Sequence, residues 1–174
     1  MNEILNAIKT RRSCRNFKPD MLPQDIIDQI CEAGTYAPTG MNRQSPLIVV
    51  IKDKQIRGRL SEINARIMGK ENFDPFYGAP VVLFVLADAG SHTHVYDGSL
   101  VMANLMLAAH ALGIGSCWIH RAQEESFDPE VKAILEQVGI TDDYVGIGHC
   151  VIGYPAEEPR PASPRKENYI RQIG

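Results

Sequence analysis

The sequence predicts a mixed α and β fold in which a sheet is covered by helices, and three observations carry that prediction. Apolar residues recur at helical spacing in several segments. Short continuous apolar runs, LIVVI and VVLFVLA, have the length of strands. The two kinds of segment interleave without the regular βαβ repeat of a doubly wound domain. With 174 residues, no internal repeat and no interdomain linker, residues 1–174 read as a single domain with a substantial core.

Taken in order, EILNAIKTR puts Ile4, Leu5 and Ile8 on one stripe and gathers positive charge at its C-terminal end, where the helix dipole favours cations. LPQDIIDQICEAGTYAP predicts a second helix, with Pro23 in the first turn, a stripe of Ile26, Ile27 and Ile30, and Gly34 as the stop. After the loop APTGMNRQSP comes the strand LIVVI, then an exposed helix over KQIRGRLSEINARIMG and a turn-rich FDPFYGAP. VVLFVLA is apolar at every position, which predicts a strand buried on both faces. DGSLVMANLMLAAHAL, 97–112, is apolar nearly all round, the pattern of a core helix, and Gly113 and Gly115 break it before the short strand SCWI. FDPEVKAILEQVGI carries Asp128 as N-cap, Pro129 at the first helical position and Gly139 as stop, and YVGIGHCVIGYP is the last strand, weakened by its glycines. The proline-rich tail AEEPRPASPRKENYIRQIG is predicted to lie extended over a surface, as an arm that wraps a partner subunit does.

Charge excludes several functions. A net charge of -3 leaves no broad basic face for nucleic acid or anionic lipid, so any anion binds locally. No run reaches the roughly 20 apolar residues of a membrane span, and MNEILNAIKTRR lacks an apolar leader core. Cys14, Cys31, Cys117 and Cys150 are scattered, with no CxxC, which fits reduced thiols in a cytoplasmic protein. GIG in LGIGSCWI follows a helix, whereas the dinucleotide fingerprint follows a strand, and neither a Walker lysine motif nor GxSxG is present. His92, His94, His110, His120 and His149 have no carboxylate at ligand spacing, so no metal site is expected.

RRSCRNF, residues 11–17, sets three arginines within five residues of an acidic chain. One reading is structural: Arg11 and Arg12 cap the first helix, and Arg15 pairs with a carboxylate such as Asp20. The other is an anion site, because Ser13 places a hydroxyl between guanidinium forks and each charge-assisted hydrogen bond is worth roughly 1.5 to 3 kcal/mol. A second basic cluster, Arg165 and Lys166, lies near the other end of the chain.

RRSCRNF, then YAPTGMNRQSP, ALGIGSCWI and VIGYPAEEPRPASPRK, in that order over essentially the whole chain, resemble the FMN-dependent nitroreductase family. The resemblance implies an α+β, three-layer α-β-α sandwich with a mixed, mainly antiparallel sheet, forming a homodimer by exchange of C-terminal arms, with FMN at the subunit interface. It implies that Arg11, Arg12 and Ser13 hold the FMN phosphate and ribityl region, with Arg165 and Lys166 completing the phosphate grip. Arg15 would reach the pyrimidine edge of the ring. From the partner subunit, the loop with Pro38, Thr39, Gly40, Asn42 and Gln44 would cover the ring, and the backbone at Trp118, Ile119 and His120 would face flavin N5 and O4.

Physical chemistry agrees with those roles. A phosphate with close to two negative charges suits two guanidiniums and a hydroxyl, and a fixed positive charge at the pyrimidine edge favours the reduced, anionic flavin. Hydride transfer at the flavin needs no protein acid or base, which accounts for the absence of a catalytic dyad or triad. The implied activity is reduction of electron-poor acceptors such as nitroaromatics or quinones by NADH or NADPH, in a ping-pong cycle; the alternative is a non-catalytic flavin sensor or carrier. The chain departs from the family pattern at Ser45, Leu47, His120 and Arg121, and Phe73, Phe76 and Tyr77 suit either substrate stacking or plain packing.

Overall fold

The computed structural model describes residues 2–140 and 143–174. In chain order its elements are α1 (Glu3–Thr10), α2 (Gln24–Thr35), β1 (Leu47–Ile51), α3 (Lys54–Met68), β2 (Val81–Asp88), α4 (His94–Ala111), β3 (Gly115–Ile119), α5 (Ala122–Glu125), α6 (Pro129–Glu136) and β4 (Tyr144–Gly153). One 3-10 turn, Gly40–Asn42, lies between α2 and β1.

The strands form one sheet in the order β1-β2-β4-β3, antiparallel at every pair. Among the described residues, parallel pairing is confined to the bridge between Ser13 and Ser116. Cys14 N–H donates to Ser116 C=O at 2.8 Å, so RRSCRNF runs along the outer edge of β3.

β2 explains the layering. Its side chains alternate, as strand geometry requires, and both faces are covered. Val81, Leu83 and Val85 join Ile27, Ile30, Met102 and Leu105 beneath α2 and α4. Val82, Phe84 and Leu86 join Leu60, Ile63, Val131 and Leu135 beneath α3 and α6. The result is the α-β-α sandwich. Each such side chain, fully removed from water, contributes about 1.5–3 kcal/mol.

Local signals behave as read at α6, where Asp128 Oδ1 accepts from Glu130 N–H at 2.9 Å, Pro129 opens the helix and Gly139 adopts φ +76°. Elsewhere packing changes the reading. Pro23 is the N-cap of α2 and not part of its first turn. Gly34 does not stop α2, which runs on to Thr35; it lets α2 pack close to α4 and β1, since a Cβ there would stand 2.7 Å from Leu105 Cδ2 and 3.0 Å from Ile48 Cδ1. Gly115 is the first residue of β3, leaving Gly113 at φ +73° to end α4. Helix α4 begins at His94, one turn before the predicted start, and the short α5 has no periodicity long enough to announce it. The stripe of α1 buries nothing: Ile4, Leu5 and Ile8 are 65%, 52% and 56% exposed. The tail beyond Pro155 is exposed throughout. Among the described residues no helix is long and apolar enough to cross a membrane.

Candidate functional site

Strand β3 links two regions that the sequence singles out. At its start lies the arginine cluster. At its end lie Ile119, His120 and Arg121, roughly 13 Å further along at 3.3 Å per residue.

At the first end, Arg12 splits its functions. Its Nη1 donates to Lys9 C=O at 2.8 Å and Arg11 C=O at 2.6 Å, so part of the side chain caps α1. Its Nε, together with Arg11 Nη1 and Ser116 Oγ, is buried without a hydrogen-bond partner. Buried donors are nearly always satisfied, and an unpaired one costs about 1–3 kcal/mol, so this trio calls for an acceptor from outside the chain. The positive field is felt by its neighbours. Burial, reinforced by Arg11 and Arg12, pushes His110 down, while Nε2 of that ring contacts Thr10 Oγ1 at 2.9 Å. Burial pushes the Cys117 thiol up, with Arg15 and Arg11 among the groups pulling it back. Arg15 and Ser13 are exposed, and among the described residues no ion pair joins Arg15 to Asp20.

The amide loop is strained and anchored. Met41, Asn42 and Gln44 have φ of 55°, 54° and 51°, a conformation that costs non-glycine residues of order 1–3 kcal/mol. Buried Asp97 holds the loop to α4: one carboxylate oxygen accepts from Gly40 N–H at 3.0 Å, the other from Thr93 Oγ1 at 2.8 Å. Thr39 Oγ1 accepts from Gln44 N–H at 3.0 Å, and Asn42 Oδ1 from Gln44 Nε2 at 3.2 Å. Pro38, Asn42 and Gln44 remain exposed.

At the far end of β3, Trp118 turns toward the α2/α4 core, Ile119 is buried and the His120 side chain is exposed. Arg121 follows at φ +74°. Beside this turn, His94, Ser99, Trp118, His120, Gln123 and Ile147 line a cleft of ≈150 Å³. Gly146 lets the turn sit close to β4, since a Cβ there would meet Ala122 O at 2.0 Å.

Arg165 and Lys166 are not brought to the cluster within one chain. Arg165 donates to Ser163 C=O at 3.1 Å and Lys166 lies over the Tyr169 ring, both on the exposed tail. Phe76 is fully buried against His149, so packing is its role; Phe73 and Tyr77 meet edge to face at 5.7 Å. The four cysteines are free, and burial pushes each thiol up, Cys31 to about 11, which leaves no thiolate nucleophile near neutrality. No group of three His, Cys, Asp or Glu among the described residues is arranged to hold a metal ion.

Comparison with known proteins identifies the family. The family model described as "Nitroreductase family" matches residues 8–154. The chain belongs to the nitroreductase family. An Archaeoglobus fulgidus protein is 31% identical over 163 residues, covering 91% of this chain and 88% of its own. The FMN reductase [NAD(P)H] of Bacillus subtilis is 24% identical over 201 residues, covering 99% and 76%. The crystal structure of a Bacteroides fragilis nitroreductase with bound FMN has a TM-score of 0.92 at 28% identity, covering 100% of both chains. Residue-level reading of this nitroreductase-family sequence missed Asn64, Asp97 and Glu125, which brace the loop and the turn, and placed His149 only among metal candidates. The available signal was a histidine inside an otherwise apolar strand.

Proposed function

We propose that this nitroreductase-family chain is a single FMN-binding domain that acts as a cytoplasmic homodimer, taking electrons from NADH or NADPH and passing them to electron-poor small molecules such as nitroaromatics or quinones in a ping-pong cycle. The observation that carries the reading is the set of buried, unpartnered donors, Arg11 Nη1, Arg12 Nε and Ser116 Oγ, at one end of β3. A phosphate dianion supplies the acceptors they lack, and Ser13 stands beside them. Bound FMN would supply hydride acceptance and donation at its ring, which the protein has no group of its own to perform.

The chain's residues then have distinct tasks. Arg11, Arg12 and Ser13 hold the phosphate. Arg15, whose charge reaches Cys117 in mid-strand, stabilises the negative charge that reduction adds to the ring. The backbone at Trp118, Ile119 and His120 lines the reacting edge. Pro38, Thr39, Gly40, Asn42 and Gln44 sit on a loop whose strain is held by Asp97 and whose outer face has no cover in one chain.

Support for the dimer comes from what one copy leaves bare. The α1 stripe, together with Val95, Tyr96 and Leu100 of α4, is exposed, β1 has an unpaired edge, and the tail carries exposed Tyr169, Ile170 and Ile173. Exchange of tails would cover that edge and bring Arg165 and Lys166 to a phosphate. We expect the purified protein to be yellow, to elute as a dimer and to bleach under anaerobic NADH or NADPH, recovering colour on addition of a quinone. Failure to bind FMN overturns the reading; FMN binding without turnover of any acceptor would favour a flavin carrier.

A further inference from the structure

Among the described residues six non-glycine residues adopt positive φ, and four of them, Met41, Asn42, Gln44 and Arg121, lie in the loop and the turn assigned to the flavin. Strain of this kind persists only where the surroundings enforce it. For Arg121 the enforcing group is Asn64, in the middle of α3 and 0% exposed. Its Nδ2 donates to His120 C=O at 2.9 Å, and its Oδ1 accepts from Arg121 Nε at 3.1 Å. One buried amide therefore ties the His120 carbonyl to the Arg121 side chain.

What fixes that amide is a second buried layer. Asn64 Nδ2 also donates to Glu125 Oε1, and Glu125 Oε2 lies 2.8 Å from His149 Nε2. Glu125 and His149 are both 0% exposed, and the His149 ring is wedged between Phe84 and Phe76 at centroid distances of 4.2 and 5.2 Å. With Nδ1 unpartnered, the ring proton belongs on Nε2, donating to the carboxylate. The orientation of Asn64 then has one solution. Flipped, its carbonyl would face the Glu125 carboxylate and its NH2 would face the Arg121 N–H.

An apolar core would hold α3, α5 and β4 together at lower desolvation cost than this array, so stability alone does not account for it. Its outer terminus does: the chain of bonds ends on a strained peptide at the rim of the cleft. We propose that Asn64, oriented by the Glu125–His149 pair, is a positioning residue that fixes the His120–Arg121 peptide against the reacting edge of the flavin, and that Arg121 is the strap through which it does so. The inference rests on the flavin reading above.

Three full-length variants test it: Asn64→Leu, Arg121→Ala and Arg121→Gly, with Asn64→Leu/Arg121→Gly as the double. Turnover per bound flavin, the flavin midpoint potential, FMN affinity and amide hydrogen exchange at 119–122 in the FMN-free protein are read for each. Misplacing a reacting group by an ångström costs up to about a hundredfold, so Asn64→Leu is expected to lose about tenfold or more in turnover per flavin. Its potential shifts, its 119–122 amides exchange faster, and FMN affinity changes less than turnover, because the phosphate grip is untouched. Arg121→Ala loses more than Arg121→Gly, since alanine at φ +74° is strained without its strap and glycine is not. The double variant loses less than Asn64→Leu alone. Wild-type turnover, potential and exchange in Asn64→Leu, with only a lower melting temperature, would overturn the proposal. Should Asn64→Leu not fold, equal losses in Arg121→Ala and Arg121→Gly overturn it instead. If the wild-type protein binds no FMN, the flavin reading fails first, and the exchange measurement still decides whether Asn64 holds the turn.

Discussion

The two ends of β3 are built on opposite principles. At the His120–Arg121 end, polar groups are buried and bonded in series from His149 through Glu125 and Asn64 to the backbone. At the Arg11–Arg15 end, charged groups cluster and two buried guanidinium atoms find no partner. Both arrangements remove polar atoms from water, which is costly unless a partner replaces the lost hydration. One end finds its partners inside the chain for all but His149 Nδ1, and folding completes its line of bonds. The other is left open, and a ligand has to finish it. On the proposed reading, a rigid edge beside an unsatisfied anion cradle fixes where the cofactor reacts while leaving its binding reversible.

The contrast breaks most visibly at the buried pair. Glu125→Ala leaves the His149 Nε2–H and an Asn64 N–H in the core without their acceptor, and a buried donor left unpaired costs about 1–3 kcal/mol. Urea unfolding should register a loss of that order, whereas Glu125→Gln, which can still accept from Asn64, should keep most of the stability. A loss under about 1 kcal/mol for Glu125→Ala would mean that water or a neighbour replaces the carboxylate, and that this end is less finished than described.

The opposite expectation holds at the cradle. Because Arg11 Nη1 has no partner in the free chain, Arg11→Ala forfeits little folding energy. On the proposed reading it removes a charge-assisted bond to a phosphate, so FMN affinity should fall about tenfold to a hundredfold. Riboflavin, which lacks the phosphate, serves as control: its affinity, read by fluorescence quenching, should be nearly unchanged. Equal losses for both ligands would place Arg11 away from the phosphate.

How much of this was legible beforehand divides along the same line. The charge cluster of the open end was readable because charge and order along the chain are local: RRSCRNF is conspicuous in an acidic sequence, and the Ser13–Ser116 bridge sets it beside β3. Strands β1 and β2 and the cap at Asp128 were readable because β-branching and capping chemistry are local. The finished end was hidden. Asn64, Glu125 and His149 are 61 and 24 residues apart in successive pairs, and each alone looks like an ordinary polar residue. Gly34 misled for the same reason: a glycine near a helix end reads as a stop, and only the side chain of Leu105, far along the chain, makes it a contact. The exposed stripe of α1 was correctly periodic, yet periodicity says nothing of which molecule covers it.

The smallest effect lies at the seam between α1 and α4, and it sharpens the contrast through pH. His110 is held below the ordinary histidine value first by burial and then by Arg11 and Arg12. A histidine depressed in the folded state binds more protons when unfolded, so its contribution to stability is fully present above the unfolded value of about 6.5 and is lost as pH falls from there through the folded value. The melting temperature of the FMN-free protein should therefore decline on acidification below about pH 6.5 more steeply in wild type than in His110→Gln. The two arginines face an unfilled cradle in that state. Once a phosphate dianion lies between them their repulsion of a second positive charge weakens, so the difference between wild type and His110→Gln should shrink with saturating FMN and persist with riboflavin. A difference that ignores FMN would assign the depression to burial alone and would separate His110 from the open end.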